Sequence, residues 1–381
     1  MRVAINLLTD DPENPSGAHW FWTRVIPQMA TDLAEGEELH LVVSRRSRAM
    51  HSGYGPLVRY VHFPWSNERR NLRTLSEHVY APVRLPLAGI DVFSTLIAPM
   101  IKPAPSLVAH FKTMHAFTTP EAVSPAARLY RRIGYPRTAA VADAIIINSQ
   151  SLRIEVDRHL DVDPAKLRLI PEAVDHDLFR PGDPVEARRR LQERHGIDRP
   201  FVLFVSSLWP YKNCDGLLRA FAVAKPDLQG HRLVVVGPGR DSAYVAELRA
   251  LAERLGVADD VTWVGGVPLE DTVDFYRAAD VFAYPSHNET FGLPILEAMA
   301  CGCSVVTSDR SAMPETAGGA ALLADPNDPR SIGSAIVRAC EGGQDMRALG
   351  LLRAGQFTWA QTAKQTLEVY REVHANRKAR R

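Results

Sequence analysis

Short runs of apolar, β-branched residues alternate with amphipathic stretches along almost the whole chain, and that alternation confines it to an α/β fold. Residues 3–7, 39–43, 58–62, 91–94, 107–110 and 144–147 form such runs, each four or five residues long and bounded by polar residues or by Pro and Gly. Their length and composition predict buried strands. Between them, 20–34, 71–80 and 149–159 carry helical spacing. Strands and helices in this order predict a parallel sheet covered on both faces.

The cycle then repeats. After the breaker cluster Pro181-Gly182-Asp183-Pro184 comes a helix at 185–195, followed by strands at 201–206, 232–236, 261–264, 281–284 and 304–307. Helices at 213–223, 244–255, 269–278 and 294–300 separate them. A last helical stretch, 359–379, has no strand after it. The 381 residues exceed what one core usually serves. The expectation is two Rossmann-like, doubly wound domains facing a cleft: 1–180, rejoined by 359–381, and 181–358. Ligands of such sheets bind beyond the carboxyl ends of the strands.

Composition removes several function classes. With 46% hydrophobic and 23% charged residues the chain is an ordinary globular protein, and a net charge of +1 gives no footprint for a nucleic-acid partner. Cys214, Cys301, Cys303 and Cys340 lack zinc or redox spacing and read as reduced thiols of a cytosolic protein. The opening apolar run meets Thr9-Asp10-Asp11 too soon for a signal peptide, and no run nears the ~20 apolar residues of a membrane span. A cytoplasmic protein is expected, with any membrane contact peripheral, at the inner face. Arg128, Arg131, Arg132 and Arg137, beside Leu129, Tyr130 and Ile133, are the stretch suited to such contact. Oligomeric state is not legible.

The sharpest chemical signal is Glu289-Thr290-Phe291-Gly292-Leu293-Pro294-Ile295-Leu296-Glu297, after the expected strand 281–284. Gly292 lets the backbone approach a ligand, and Pro294 suits the first turn of the next helix. That helix start offers free N–H groups and a positive dipole end to a phosphate. Glu289 lies before the helix and Glu297 about one turn inside it, so the two carboxylates can hold hydroxyls at separate points of one extended ligand. A second signal is Ser206-Ser207-Leu208-Trp209-Pro210-Tyr211-Lys212-Asn213, which places Lys212 at a helix start, where a diphosphate would be neutralised.

These motifs resemble the family-4 retaining glycosyltransferases of the GT-B fold (group 1, mannosyltransferase-like), whose hallmark is E-x7-E in this setting. The resemblance spans nearly the whole chain and is strongest from about 200 to about 330. It implies that Glu289 contacts donor-sugar hydroxyls, that backbone N–H groups near Thr290, Phe291, Gly292 and Leu293 meet sugar and phosphates, and that Glu297 holds the ribose. Lys212 matches the family lysine, whereas Ser207 stands where an arginine is common, and Arg240 is the substitute phosphate partner considered. Val267 follows the loop that reads the base, and Gly17 matches the glycine loop facing the donor phosphates. His115 matches the histidine near the transferred sugar, with Ala116 in place of the usual aspartate. His115, Glu289 and Lys212 are thus the expected catalytic residues.

The implied activity is metal-independent transfer of a hexose from a nucleotide-diphosphate sugar to a hydroxyl of a glycan, glycolipid or small natural product. GDP-mannose is the first choice of donor and a UDP-glucose type the second. No bound cofactor and no metal are expected, since no Asp-x-Asp pair or histidine-rich cluster is legible at a strand end. Two other readings compete. A nicotinamide-dependent oxidoreductase lacks the G-x-G-x-x-G loop and its acidic residue. A pseudo-glycosyltransferase or non-catalytic nucleotide-sugar-binding relative draws on Ser207 and Ala116.

Overall fold

The computed structural model describes residues 1–10, 17–65, 69–103, 105–228, 230–239 and 241–379. They form two compact units: residues 1–172 with 359–381, and residues 173–358. The division falls ahead of the Pro181–Pro184 cluster, because Val174 and Phe179 already pack into the core of the second unit.

The first unit holds a seven-stranded parallel sheet: β1 (Arg2–Asn6), β2 (Glu38–Val43), β3 (Val58–His62), β4 (Val92–Thr95), β5 (Ser106–His110), β6 (Ala144–Ile147) and β7 (Leu167–Leu169). Their order is β3-β2-β1-β4-β5-β6-β7, with the chain reversing its direction of growth between β1 and β4. Every residue of β4, β5 and β6 is buried, as a sheet covered on both faces demands. One face packs on helix Gly17–Thr31 and on the last helix, Trp359–Ala379. That last helix buries Ala363, Thr366, Leu367, Tyr370 and Val373, a helical stripe. Tyr370 Oη donates to Ser94 Oγ at 2.8 Å and lies 3.2 Å from His110 Nε2.

The second unit holds β8 (Phe201–Val205), β9 (Arg232–Val236), β10 (Val261–Gly265), β11 (Val281–Tyr284), β12 (Ser304–Ser308) and β13 (Leu322–Ala324). The order is β10-β9-β8-β11-β12-β13, again all parallel, with its switch point between β8 and β11.

Several elements differ from the sequence expectation. Strands β7 and β13, three residues each, are absent from it, as are helices Pro329–Glu341 and Gly343–Ala354. The helix expected at 71–80 is Arg70–Leu75, and a wide turn at Ser76–Tyr80 carries it on into Ala81–Leu87. Pro82 stands in the first turn of Ala81–Leu87, directly after the wide turn. All four cysteines are free thiols, and Cys214, Cys301 and Cys303 are buried. Among the described residues no helix is long and apolar enough to cross a membrane.

Candidate functional site

In a parallel sheet every loop after a strand leaves the same edge, so the loops after β8, β9, β10 and β11 converge. Backbone bonds stitch them together. Ser206 N donates to Val236 O (3.0 Å), Leu208 N to Pro238 O (3.0 Å), Gly237 N to Gly265 O (2.7 Å), and His287 N to Tyr211 O (2.8 Å). Gly237 has φ +139°, and a Cβ there would stand 1.9 Å from Ser206 O, so no other residue fits this crossing. Asn213 takes the left-handed conformation (φ 61°), and its buried Nδ2 donates to Pro285 O at 2.9 Å and Pro326 O at 2.8 Å. That side chain pins the loop after β8 to the loop after β11 and fixes where Lys212 points.

Lys212 and Glu289 meet at the switch point. Lys212 Nζ lies 2.6 Å from Glu289 Oε1 and 2.9 Å from Tyr284 Oη, and Tyr284 donates to the same carboxylate oxygen at 2.6 Å. Burial works against the Lys212 charge, but Glu289, Tyr284 and Tyr211 together hold the ammonium above its ordinary value. The resemblance assigned these two residues to different parts of a donor; here they are direct partners. Glu289 N donates to Ser311 Oγ at 3.1 Å, and Glu289 O accepts from Ala312 N at 3.2 Å, so the carboxylate stands on a braced backbone.

Gly292, left-handed at φ 92°, caps helix Leu293–Ala300, with Pro294 in its first turn. Pro294 brings no N–H and Ile295 N already donates to Gly292 O at 3.0 Å, so the backbone N–H groups this helix start can offer an anion are those of Gly292 and Leu293. Thr290 is half-buried, while Phe291 turns its ring into the core against Phe357 and its carbonyl accepts from Thr316 Oγ1. Only backbone groups of Phe291 can serve a ligand. Glu297, one turn into the helix, accepts from Tyr276 Oη at 2.9 Å, and burial pushes its carboxyl up to about 7.

Ser207 sits half-buried in the loop after β8, its carbonyl accepting from Trp209 N at 3.0 Å, and Val267 packs half-buried after β10. Arg240 lies outside the described residues. In the first unit, Gly17 begins its helix with nothing within 4 Å of where a Cβ would stand. Pro15 and Ser16, the rest of the expected glycine loop, lie outside the described residues. His115 opens the single-turn helix His115–Thr118 beyond β5; its N–H donates to Thr113 Oγ1 at 3.1 Å, and Ala116 beside it is buried.

Sequence reasoning passed over Lys112. Its Nζ lies 3.0 Å from Glu172 Oε1 and 3.5 Å from the centroid of the Phe21 ring, and Asn148 Nδ2 donates to the same oxygen at 3.3 Å. Burial holds this ammonium below its ordinary value, with Glu172 pulling the other way. Nor did any spacing point to Asn6, which at the end of β1 donates to Glu77 Oε1 (2.9 Å) and Thr95 Oγ1 (3.1 Å). These partners lie far apart in sequence and share no motif.

Comparison with known proteins bears on both units. Residues 187–350 match the family model described as glycosyl transferases group 1, and residues 23–178 match that of glycosyltransferase family 4. The D-inositol 3-phosphate glycosyltransferase of Acidothermus cellulolyticus is 37% identical over 258 residues, 65% of this chain and 57% of that protein. Its counterpart in Kineococcus radiotolerans is 35% identical over 280 residues, covering 68% and 63%. The match therefore spans little more than half the length of the first of these curated relatives. Among solved structures, sucrose-phosphate synthase from Thermosynechococcus elongatus aligns with a TM-score of 0.77 at 21% identity, over 99% of this chain and 100% of that one. Anabaena HepE in complex with UDP-glucose aligns at 0.73 and 18%, over 98% and 100%. At such identities the likeness is one of fold.

Proposed function

Because the chain belongs to the group 1 glycosyltransferases of family 4 and has their GT-B fold, we propose that it transfers a hexose from a nucleotide-diphosphate sugar to a hydroxyl acceptor with retention of configuration. The observation that carries the reading is the buried Lys212–Glu289–Tyr284 cluster at the switch point, in the same unit as helix Leu293–Ala300. A diphosphate leaving group needs fixed positive charge where its own charge develops. Lys212 and the N–H groups of Gly292 and Leu293 supply it, so the transfer itself needs no metal. Glu289 holds sugar hydroxyls and releases part of its grip on Lys212 as the phosphates arrive. Glu297 holds the ribose. The acceptor attacks from the face the diphosphate leaves, and a phosphate oxygen takes the acceptor proton. From the first unit the reading takes His115 as the catalytic histidine.

The nucleotide is uridine or guanosine diphosphate. The sequence leans to GDP-mannose, whereas similar structures are described with UDP and UDP-glucose. The curated relatives carry the name of an inositol phosphate acceptor, which makes a phosphorylated polyol the first acceptor to try. The test is a thermal-shift panel of GDP, UDP, ADP and dTDP with and without Mg²⁺, on wild type and Glu297→Ala, followed by transfer assays with the winning donor. At ~100 times its dissociation constant a nucleotide stabilises by about 2.7 kcal/mol, a shift of several degrees. One winner, indifferent to Mg²⁺ and lost in the variant, supports the site; no winner defeats it.

A second reading rests on Ala116, buried where the family resemblance implies an aspartate, and on Ser207, where it implies an arginine. It is a relative that binds the nucleotide sugar and transfers nothing. Binding without transfer to any acceptor and without donor hydrolysis would select it.

The proposed acceptor side also suits an anionic bilayer surface. The helical run 70–87 exposes Leu75, Val79, Val83 and Leu87 at four-residue spacing, and Leu129 with Ile133 repeats the spacing on helix Pro125–Val141. The two helical segments touch where His78 Nε2 lies 3.0 Å from Tyr130 Oη. Arg84 and Arg132 are exposed beside these residues. Cosedimentation with phosphatidylglycerol vesicles but not with phosphatidylcholine, abolished by Leu129→Asp with Ile133→Asp, is the expected result.

A further inference from the structure

Three side chains that no spacing connects converge in the first unit. Asp10 follows β1, His19 lies in the first turn of helix Gly17–Thr31, and His51 ends the short turn Ser47–Met50 after β2. Asp10 and His51 are fully buried, and His19 is 7% exposed. Both imidazoles address one carboxylate oxygen: His19 Nδ1 lies 3.1 Å and His51 Nε2 2.6 Å from Asp10 Oδ2. One donor atom from each of the three residues falls within 4.8 Å of the other two.

Hydrogen bonding accounts for half of this. Two N–H groups can share Oδ2, but Asp10 Oδ1 is buried and has no hydrogen-bond partner among the described residues. An unpartnered oxygen on a buried carboxylate is a costly state, and native interiors rarely keep one without a reason. A cation removes the problem, since a carboxylate can turn either or both oxygens to it. Nitrogen and oxygen ligands stand about 2.0–2.2 Å from a tetrahedral zinc ion, which separates them from one another by roughly 3.3–3.6 Å. The two imidazole nitrogens, at 3.1 and 2.6 Å from Asp10 Oδ2, need to draw back from it by no more than about 1 Å to reach that spacing. Tyr54 Oη lies 3.4 Å from His51 Nδ1. It is the kind of outer partner that turns a ligating imidazole's other nitrogen inward.

We propose that Asp10, His19 and His51 bind a divalent first-row transition ion of the Zn²⁺ or Co²⁺ kind. Two imidazoles and one carboxylate form a donor set of borderline softness, which disfavours Mg²⁺ and Ca²⁺, both of which seek oxygen alone. The ion ties the chain leaving β1 to the start of the first helix and to the segment after β2. Its place is structural, and it takes no part in neutralising the diphosphate, which falls to Lys212 in the other unit.

The test uses the full chain after chelator treatment, with Co²⁺ alone as the probe. Co²⁺ is expected to bind one to one with visible d–d absorption of nitrogen and oxygen ligation, to be displaced by Zn²⁺, and to raise the melting temperature by several degrees at ~100 times its dissociation constant. His51→Gln and His19→Gln should each weaken binding at least ~100-fold, while Lys212→Ala should leave it unchanged and so separates this site from the transfer reading. Should a histidine variant fail to fold, the wild-type spectrum and stoichiometry still decide. A wild type that takes up no stoichiometric Co²⁺ or Zn²⁺, or histidine variants that bind as tightly as wild type, overturns the proposal.

Discussion

Each unit holds a part-buried lysine–glutamate pair beyond the carboxyl end of a strand, and the two pairs keep their charge on different terms. After β8, Lys212 has Glu289 at 2.6 Å, Tyr284 at 2.9 Å and the Tyr211 ring centroid at 4.9 Å. Burial opposes its charge and loses. After β5, Lys112 has Glu172 at 3.0 Å and the Phe21 ring, and burial wins. A buried ammonium stays a dependable cation only where several acceptors converge on it. The second unit has built that convergence where a diphosphate is proposed to arrive; the first has built a strut.

The largest expected break in this contrast is catalytic. Lys212→Ala should cost about 10²–10³ in kcat, the usual effect of removing one group that stabilises developing charge. Lys112→Met should leave kcat within a few-fold of wild type in the same transfer assay. Equal losses would erase the distinction.

The glycine loops of the two units differ as sharply in stability. Gly237→Ala drives a Cβ into a backbone carbonyl at a left-handed φ, and should cost about 2–4 kcal/mol in urea unfolding. Gly17→Ala meets nothing and should stay within about 0.5 kcal/mol. If Gly17→Ala keeps its stability and loses activity, a ligand, not the fold, requires that glycine.

Alkaline titration separates the lysines by sign. Unfolded lysine holds its proton to about 10.5. Folded Lys112 releases its proton earlier, so its contribution to stability rises as pH climbs toward 10.5. Folded Lys212 releases its proton later, so the stability it adds is full below 10.5 and is lost above it. Melting curves of Lys112→Met/Glu172→Gln and of Lys212→Met/Glu289→Gln, each compared with wild type from pH 8 upward, should diverge in opposite directions.

The smallest effect sharpens the rule within one unit. Among the described residues the Glu297 carboxylate has the single partner Tyr276 and, like Lys112, yields to burial, its carboxyl raised to about 7. Between its unfolded value of 4.5 and about 7 the folded state holds a proton the unfolded state has lost. Stability therefore falls as pH rises through that window. Ribose hydroxyls need the ionised form, so donor affinity should improve about tenfold from pH 6 to 8 and stay flat in Glu297→Gln. Calorimetric titration at the two pH values checks it.

The two units also differ in how far the sequence speaks for them. Strands such as β6 and β8, apolar throughout, announce themselves, as does the run from Glu289 to Glu297, because everything that defines them is contiguous. Strands β7 and β13 are too short to show a period. Helix Pro125–Val141 carries Gly134 and Pro136, which argue locally against a helix that tertiary packing of Tyr135, Thr138 and Ala139 imposes. The Lys212–Glu289 bond, the Lys112–Glu172 pair and the Asp10–His19–His51 cluster are made by topology, which brings strand ends together regardless of spacing. A single chain without its relatives carries no local trace of them.

The last helix gives the first unit an unusual timetable. Residues 1–172 and 359–381 make one body, and the second unit is one uninterrupted segment between them. On a ribosome adding ~5–20 residues per second, the sheet of the first unit waits roughly 10–40 s for Tyr370 to reach Ser94 and His110. Through that interval the face that Leu367, Tyr370 and Val373 will cover stands open to other chains or to a chaperone. The unit encoded second is thus the one completed first, and the amino-terminal half of the message ends as the last part of the molecule to close.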